Sequence, residues 1–317
     1  MKRTITRFSM LILSIYLFCQ TASAARLLIP GGQVVGMHLQ DGSVTVSALT
    51  DEGKHTGLVA GDRLLSVDGT AIHCAQDVRS ALSRSDGTVK ISLRRGTKTK
   101  TLTVTPAATA EGPRLGVLLR QGTTGLGTVT YYDPASNSFG ALGHGVNDPA
   151  GAPVSLESGT VYPAQISGVK RGAVGTPGQL LGALTDATPL GTLAKNTNRG
   201  VFGAVDAPAA QPLPAAQPSE VHIGKATIRS TVTAAGLQEY SVEILKIYPN
   251  GQNKTRNMLI RVTDPQLLET TGGIVQGMSG SPIIQDGKLV GAVTHVLVND
   301  PTTGYGIFIE NMLDAAA

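Results

Sequence analysis

Short segments in which apolar and polar residues alternate recur along the chain, and most of them predict β-strands. In the first third, residues 44–46 and 90–93 alternate with a period of two, whereas residues 75–82 have the apolar spacing of a helix. Beyond Arg114 the chain is richer in strand patterns, at residues 127–132, 241–248, 258–262, 289–298 and 305–309. The pattern predicts a mainly β protein, and the 39 glycines together with the absence of tryptophan suit a chain with many tight turns.

A glycine-rich segment between the first strands and the helix carries a recognisable pattern. Residues 56–69 read TGLVAGDRLLSVDG, in which Gly61-Asp62 and Asp68-Gly69 predict turns around an apolar strand. This segment resembles the signature of bacterial PDZ domains. The resemblance implies a small α/β barrel-like sandwich over residues 25–110, followed by a second domain over residues 111–317.

PDZ domains bind a peptide as an added β-strand between one strand and one helix. By position, the loop whose amides hold the carboxylate of that peptide is expected at Val34, Val35, Gly36 and Met37. The alternative is an ordinary entry into a strand, without a ligand.

The N-terminus has the three parts of an export signal. Lys2, Arg3 and Arg7 precede an apolar run at residues 10–18, and Ala22-Ser23-Ala24 supplies the small-residue pattern of a cleavage site. Residues 1–24 are therefore predicted to be a signal peptide or, alternatively, an uncleaved membrane anchor. Both interpretations place the remainder outside the cytoplasm, secreted or membrane-anchored, with contact to a membrane surface possible.

Charge and cysteine content narrow the function further. Without the three basic residues of the signal, 23 basic residues face 22 acidic ones, so no basic surface for nucleic acid is expected. Cys74 is then a lone cysteine and is interpreted as a small apolar residue. Because no pair of histidine and acidic residues has the spacing of a zinc site, no metal or other cofactor is expected.

The segment Gly277-Met278-Ser279-Gly280-Ser281 indicates nucleophilic chemistry. Glycines let the backbone approach a substrate closely and turn its amides toward a developing oxyanion. Ser279 is the predicted nucleophile, and the amides of Gly277 and Ser279 are the predicted oxyanion hole. Ser281 is the competing nucleophile, and a plain Gly/Ser turn is the alternative without chemistry.

A serine hydroxyl needs a base to take its proton. His144 lies among small residues in the segment ALGHG, which leaves an imidazole room and access. His295 follows the serine in a predicted strand and is interpreted as lining the site or packing beneath it. His222 has no special surroundings. We therefore predict that His144 is the general base.

Several longer segments are similar to the stage IV sporulation protein B family of signalling proteases. They are GTVTYYDPASNSFGALGHGVND at 127–148, NRGVFG at 198–203 and the segment from VTDPQLLETTGG to GYGI at 262–307. With the signal and the PDZ pattern ahead of them, the resemblance covers essentially the whole chain. It implies a chymotrypsin-like double β-barrel, with His144 as the catalytic histidine and Ser279 as the nucleophile. The residue before the serine is Met278, so activation by pairing an aspartate there with a new N-terminus is not expected.

The resemblance assigns the third catalytic role to Asp264. That aspartate lies only fifteen residues before Ser279, and Asp264-Pro265 is also a good helix start, with Asp as the N-cap and Pro at the first helical position. Both roles stay open, and the other aspartates between His144 and Ser279 are Asp148, Asp186 and Asp206.

The resemblance also implies a biological role. The protein is expected to act between the mother-cell and forespore membranes, where it would cleave itself and the regulator of a membrane-embedded protease, so that a sigma factor is activated. The alternative function is a non-catalytic PDZ adaptor with a degenerate protease domain.

Overall fold

The computed structural model describes residues 25–148, 151, 153–186, 188–249 and 254–317. The predicted signal at residues 1–24 lies outside them. Within the described ranges, no helix combines the length and the apolar character needed to cross a membrane.

Strands dominate the described part of the chain, as the alternation predicted. The strands are β1 (Leu27–Pro30), β2 (Val34–Leu49), β3 (Arg63–Val67), β4 (Thr70–Ala71), β5 (Val89–Arg95), β6 (Lys98–Val104), β7 (Ala107–Thr109), β8 (Gly112–Arg114), β9 (Val117–Asp133), β10 (Ser138–Ala141), β11 (Ser158–Lys170), β12 (Gln179–Leu184), β13 (Gly191–Thr197), β14 (Gly200–Val205), β15 (Leu213–Pro214), β16 (Gly224–Thr231), β17 (Leu237–Ile247), β18 (Met258–Val262), β19 (Pro282–Gln285), β20 (Lys288–Leu297) and β21 (Asp300–Phe308). The helices are α1 (Ala75–Ser83), α2 (Pro265–Thr271) and α3 (Ile309–Ala316).

Two barrels form the protease half. In the first, β9 pairs with β10, β10 with β14, β14 with β13, β13 with β11, β11 with β2, and β2 again with β9, which closes the ring. The second is a closed barrel of β16, β17, β18, β21, β20 and β19. The apolar faces of the second barrel form a core around Ile228, Ile260 and Val293. The predicted double β-barrel is confirmed.

The PDZ-like unit is inserted into the first barrel and does not precede it. The second half of β2 and the first half of β9 leave the barrel as a pair, with Val44 opposite Gln121 and Leu49 opposite Val117. Beyond them, β3, β5 and β6 extend the sheet and α1 covers it, around a separate core that contains Leu64, Ile91 and Leu82. The unit is therefore an insertion between two barrel strands.

This arrangement changes the predicted boundary between the domains. The sequence pattern places residues 25–40 in the PDZ domain, but β1 pairs with β9 and β15, and the first half of β2 pairs with β11 and β9. These first strands belong to the sheet of the protease half. Local patterning could not reveal this, because the strands that receive them lie a hundred residues away in the chain.

The alanine- and proline-rich segment at residues 204–218 packs against the rest of the protein. It contains the short strand β15, which pairs with β1, and Ala215 and Ala216 are buried. Helix α2 begins as predicted, because Asp264 caps it and Pro265 occupies its first turn.

Candidate active site

The turn between α2 and β19 carries Ser279 and contains two glycines with positive φ. Gly277 has a φ of +100° and Gly280 a φ of +97°, a region that residues with a Cβ rarely adopt. A Cβ on Gly280 would lie 2.0 Å from the carbonyl oxygen of Thr128, so a larger residue has no room there. Between them, Met278 is completely buried and anchors the turn in the core of the second barrel.

The two amides predicted to form the oxyanion hole carry no acceptor within the part of the chain that the structure describes. The neighbouring amides are all engaged: Met278 N donates to Val275 O, Gly280 N to Val293 O, and Ser281 N to Met278 O. Gly277 N and Ser279 N are thus the amides of this turn that are available to an incoming oxygen, as an oxyanion hole requires.

The two candidate serines have different surroundings. Ser279 is half-buried, and its hydroxyl donates to the carbonyl of Thr294 at 2.7 Å. Ser281 is completely buried and donates to the hydroxyl of Ser230. A substrate can reach Ser279 but not Ser281, which removes the competing nucleophile.

His144 follows a sharp bend after β10. Leu142 and Gly143 both have positive φ, at 69° and 68°, and a Cβ on Gly143 would lie 2.9 Å from the side chain of Thr294. This close approach brings the histidine loop against β20, the strand that also receives the hydroxyl of Ser279.

The imidazole of His144 is held through one nitrogen. Nδ1 lies 2.8 Å from the carbonyl oxygen of Gly145. Because a carbonyl oxygen can only accept a hydrogen bond, Nδ1 carries the proton and Nε2 is the basic nitrogen. Burial lowers the pKa of His144, and the hydrogen bond to Gly145 partly opposes that shift. A neutral imidazole with a free Nε2 is the form that a general base needs.

His295 lies beside His144. The two ring centroids are 5.1 Å apart. Burial, followed by electrostatic interactions with His144 and Arg256, lowers the pKa of His295 to about 4, so it is neutral at physiological pH. This agrees with the interpretation that His295 lines the site, whereas His222 is exposed and pairs with Asp286.

The segment predicted to bind a peptide carboxylate is not a loop. Val34, Val35, Gly36 and Met37 lie in β2, where β9 occupies one edge and β11 the other. Their backbone groups are already used in the sheet, and the three apolar side chains are buried. That prediction is wrong, because the strands that cover both edges come from distant parts of the chain.

A groove with the expected PDZ geometry lies instead between α1 and the first half of β9. It has a volume of about 660 Å³ and is lined by Ala75, Val78, Arg79 and Leu82 from the helix and by Val117, Leu118 and Leu119 from the strand. Over residues 117–121 the structure pairs β9 with β2 on one edge, and within the described residues no strand takes the other. An extended peptide could add to that edge.

The residues just before the groove strand have the same local sequence pattern as the segment that was predicted to bind the peptide carboxylate. Leu115-Gly116-Val117 repeats the apolar-glycine-apolar order of Val35-Gly36-Met37. Gly116 has a φ of +64°, and its carbonyl accepts the amide of Thr50. The signal was present in the sequence, but only the fold distinguishes its two copies.

Comparison with known families agrees with this geometry. The SpoIVB peptidase S55 family matches residues 111–313, and the PDZ domain family matches residues 34–105. The chain belongs to the SpoIVB peptidase S55 family. It is therefore a serine endopeptidase with a PDZ domain, and the suspected sporulation-protease resemblance is confirmed. No curated protein matches the chain.

Several solved structures are similar to parts of this S55 peptidase. The active form of the Rv3671c protease of M. tuberculosis is 17% identical, with a TM-score of 0.37, and the match covers 61% of this chain and 73% of that one. Human heparin binding protein is 14% identical, with a TM-score of 0.29, over 56% and 72% of the two chains. The PDZ domain of an SdrC-like protein from Listeria monocytogenes is 27% identical, with a TM-score of 0.22, over 24% and 85%.

The aspartate that the resemblance assigns to this S55 peptidase's triad lies at the start of α2. One carboxylate oxygen of Asp264 accepts the amide of Leu267 at 3.0 Å, and the other accepts the amide of Ser241 at 3.3 Å. The structure gives the Nδ1 position of His144 to the Gly145 carbonyl instead. The structure therefore brings the histidine loop and the hydroxyl of Ser279 against the same residue, Thr294, and uses Asp264 as a helix cap.

The remaining aspartates between His144 and Ser279 all lie in loops. Asp186 is exposed and accepts the amide of Thr188, and Asp206 is exposed after β14. Asp148 lies four residues beyond His144 in the same connection.

Sequence reasoning missed Asn196, which shapes the histidine loop of the S55 peptidase. Its side-chain oxygen accepts the amide of Val146, and its side-chain nitrogen donates to the carbonyls of Val146 and Val154. These bonds fix the chain just after His144. The segment NTNRG carried no pattern that distinguishes such a residue from an ordinary turn asparagine. Within the described residues, no cluster of histidine, cysteine and acidic side chains could hold a metal ion.

Proposed function

We propose that Ser279 and His144 carry out the peptidase reaction by an acyl-enzyme mechanism. Nε2 of His144 takes the proton of the Ser279 hydroxyl while Oγ bonds to the scissile carbonyl carbon. The amides of Gly277 and Ser279 stabilise the oxyanion. The imidazolium then gives its proton to the departing amine, and water releases the acyl group by the same steps in reverse order.

One observation carries this proposal: Nδ1 of His144 is bound to the Gly145 carbonyl, which leaves Nε2 as the acceptor beside a turn with two open amides. In the resting arrangement the hydroxyl of Ser279 donates to Thr294 O. A rotation of that side chain about its Cα–Cβ bond would turn the hydroxyl away from β20 toward a new acceptor, and staggered rotamers make such changes common.

The biological role that we propose is signalling by limited proteolysis. Membership of the SpoIVB peptidase S55 family supports a protease that acts outside the cytoplasm, between the mother-cell and forespore membranes. Its substrates would be its own chain and the regulator of a membrane-embedded protease, whose cleavage leads to activation of a sigma factor. The basic and apolar residues at 1–24 support export, either secreted or anchored in a membrane.

The PDZ groove supplies a way to select the chain that is cut. A peptide added to the free edge of β9 gains main-chain hydrogen bonds, so many extended segments can dock, including the protein's own. Docking raises the local concentration of a tethered segment to the millimolar range, which favours its cleavage without new contacts at Ser279.

Two measurements test this function. Purified full-length protein and its Ser279→Ala variant are incubated, and the new termini are mapped by mass spectrometry. We expect defined self-cleavage in the wild type and none in the variant. Identical fragments from both would refute self-cleavage. In sporulating cells that carry only the Ser279→Ala form, the regulator should stay full length, and normal processing there would overturn the signalling role.

The same proteins separate a protease from an adaptor. A fluorophosphonate probe should label the wild type at Ser279 and leave Ser279→Ala unlabelled. A folded wild-type protein that fails to react would favour the alternative of a PDZ adaptor.

A further inference from the structure

A completely buried threonine on β9 contacts the nucleophile turn and the histidine loop at once. The hydroxyl of Thr128 donates to the carbonyl of Gly277 at 2.7 Å, and its amide donates to the carbonyl of Ser279 at 3.2 Å. Its own carbonyl accepts the amide of Leu142 at 3.2 Å. Three hydrogen bonds of one residue therefore join the serine turn to the bend that precedes His144.

These bonds act on the part of the turn that carries the proposed oxyanion donors. The amide of Ser279, one of the two oxyanion donors, lies between the carbonyls of Gly277 and Ser279, and Thr128 holds both. Gly277 has a positive φ and no side chain to restrain it, and its carbonyl shares a peptide unit with the amide of Met278, which donates to Val275 O. The hydroxyl of Thr128, fixed in a buried strand, limits the rotation of this peptide unit, which joins the two oxyanion donors Gly277 N and Ser279 N and so influences the direction of both.

We infer that Thr128 is a positioning residue that keeps the oxyanion hole open through its side-chain hydroxyl. The residue touches neither substrate nor the reacting atoms, so its effect passes through Gly277 and Ser279. Loss of the hydroxyl leaves the Gly277 carbonyl without its donor and lets the turn rotate. The result is weaker stabilisation of the transition state, with substrate binding largely preserved.

The chain offers a matched control on the same strand. Thr130 is also completely buried on β9, but its hydroxyl has no hydrogen-bond partner among the described residues. Thr130→Val makes the same chemical change as Thr128→Val, two residues away, without removing a bond. A general effect of placing valine in this strand would appear in both variants.

The experiment compares Thr128→Val, Thr128→Ser and Thr128→Ala with Thr130→Val, using kcat and KM for a small peptide substrate and the melting temperature. Valine keeps the volume and loses the hydroxyl, whereas serine does the reverse. We expect Thr128→Val to lower kcat by about 10²-fold, the scale of a lost oxyanion donor, with KM within about threefold. Thr128→Ser should stay within about fivefold of the wild type, and Thr130→Val within about twofold.

The outcomes separate positioning from packing. If turnover follows the hydroxyl (high for serine, low for valine and alanine) while the melting temperature follows the volume, the assignment holds. If Thr128→Val does not fold, the serine and alanine variants make the same comparison. Full turnover in a folded Thr128→Val protein, or an equal loss in Thr130→Val, would overturn it. The inference depends on Ser279 as nucleophile, which Ser279→Ala tests separately, so failure of one idea is distinguishable from failure of the other.

Discussion

The two ends of strand β9 have the same backbone conformation and different surroundings. Over residues 117–121, β9 pairs with β2 on one edge and faces the groove beside α1 with the other, and Leu118 is 58% exposed. Near the other end, β2 or β1 lies on one side and β10 on the other, and Thr128, Thr130 and Tyr131 are buried. A free edge can bind a peptide, whereas a covered edge can only support the structure around it.

We therefore assign the proposed chemistry to the covered end of β9 and the proposed substrate selection to its open end. The covered end holds the turn that carries Ser279, through Thr128. The open end lines the groove that we propose for substrate selection. A change at the covered end should therefore alter chemistry, and one at the open end should alter which peptide arrives.

The largest expected effect concerns the chemistry beside the covered end. Ser279→Ala and His144→Ala should each lower turnover by about 10⁶-fold, because the residues of a catalytic unit depend on one another. For the same reason, the double variant should be little worse than either single one. Turnover and melting temperature are measured for all three proteins. Additive losses in folded variants would show that the two residues do not share a mechanism.

The pH dependence of kcat/KM tests the protonation state of His144, beside the covered end of β9. Burial lowers the pKa of His144 below its ordinary value of 6.5, and only the neutral imidazole can accept a proton from Ser279. The value of kcat/KM should therefore be high at neutral pH and fall about tenfold per unit once the pH is below that lowered pKa. A profile from pH 4 to 8 measures the midpoint. A midpoint above 6.5 would contradict the buried, neutral histidine.

A smaller effect is expected at the open end. Leu118→Asp places a charge in the groove, and because Leu118 is exposed the fold should tolerate it. We expect self-cleavage to slow by about tenfold, since the effective concentration from docking is lost. Labelling by a small fluorophosphonate probe should stay within about twofold. Leu190→Asp changes an equally apolar, exposed residue outside the groove and serves as the control. Unchanged self-cleavage in Leu118→Asp would remove the groove from substrate selection.

The smallest expected effect lies outside both ends, at Asp264. Asp264→Ala should lower the free energy of unfolding by about 1 kcal/mol through loss of the N-cap. Asp264→Asn should keep that stability because asparagine is an equally good N-cap, and turnover should be retained in both. Unfolding and turnover are measured together. A loss of about 10⁴-fold in the asparagine variant would return Asp264 to the triad, since that is the cost of a wrongly held imidazole in a comparable enzyme.

The insertion of the PDZ unit also changes how the domain can be removed. A deletion of residues 33–106, which lie within the predicted PDZ range of 25–110, would take away β2 and open the first barrel. Point changes in the groove are therefore a better test of the domain's role than deletion.

Much of the fold could be read from the sequence because its signals are local. Strand β18 (Met258–Val262) has the predicted bounds, and α1 extends the predicted helix by one residue, since period and turn residues act over a few positions. The nucleophile turn could be found in the same way, because Gly277 and Gly280 must flank the serine for the chain to bend there. Strand β9 was predicted only from residue 127, since its first half alternates weakly and contains glycines.

The partners of each strand edge could not be read in this way. Val35-Gly36-Met37 and Leu115-Gly116-Val117 look alike in sequence, and the difference lies in β11, more than a hundred residues beyond the first segment, which covers its second edge. Thr128 was missed for the same reason. Its role depends on Gly277, which lies 149 residues later in the chain.

The sequence by itself therefore determined which residues can do the chemistry: a glycine-flanked serine and a histidine among small residues. It also determined the helix start that Asp264 caps. The tertiary structure decided which of them meet. It placed the Gly145 carbonyl, rather than a carboxylate, on Nδ1 of His144, and it left the edge of β9 open while closing that of β2. The physical reason is that a backbone N–H or C=O group already paired within the sheet is not available to a ligand. Only the complete sheet shows which of these groups remain unpaired.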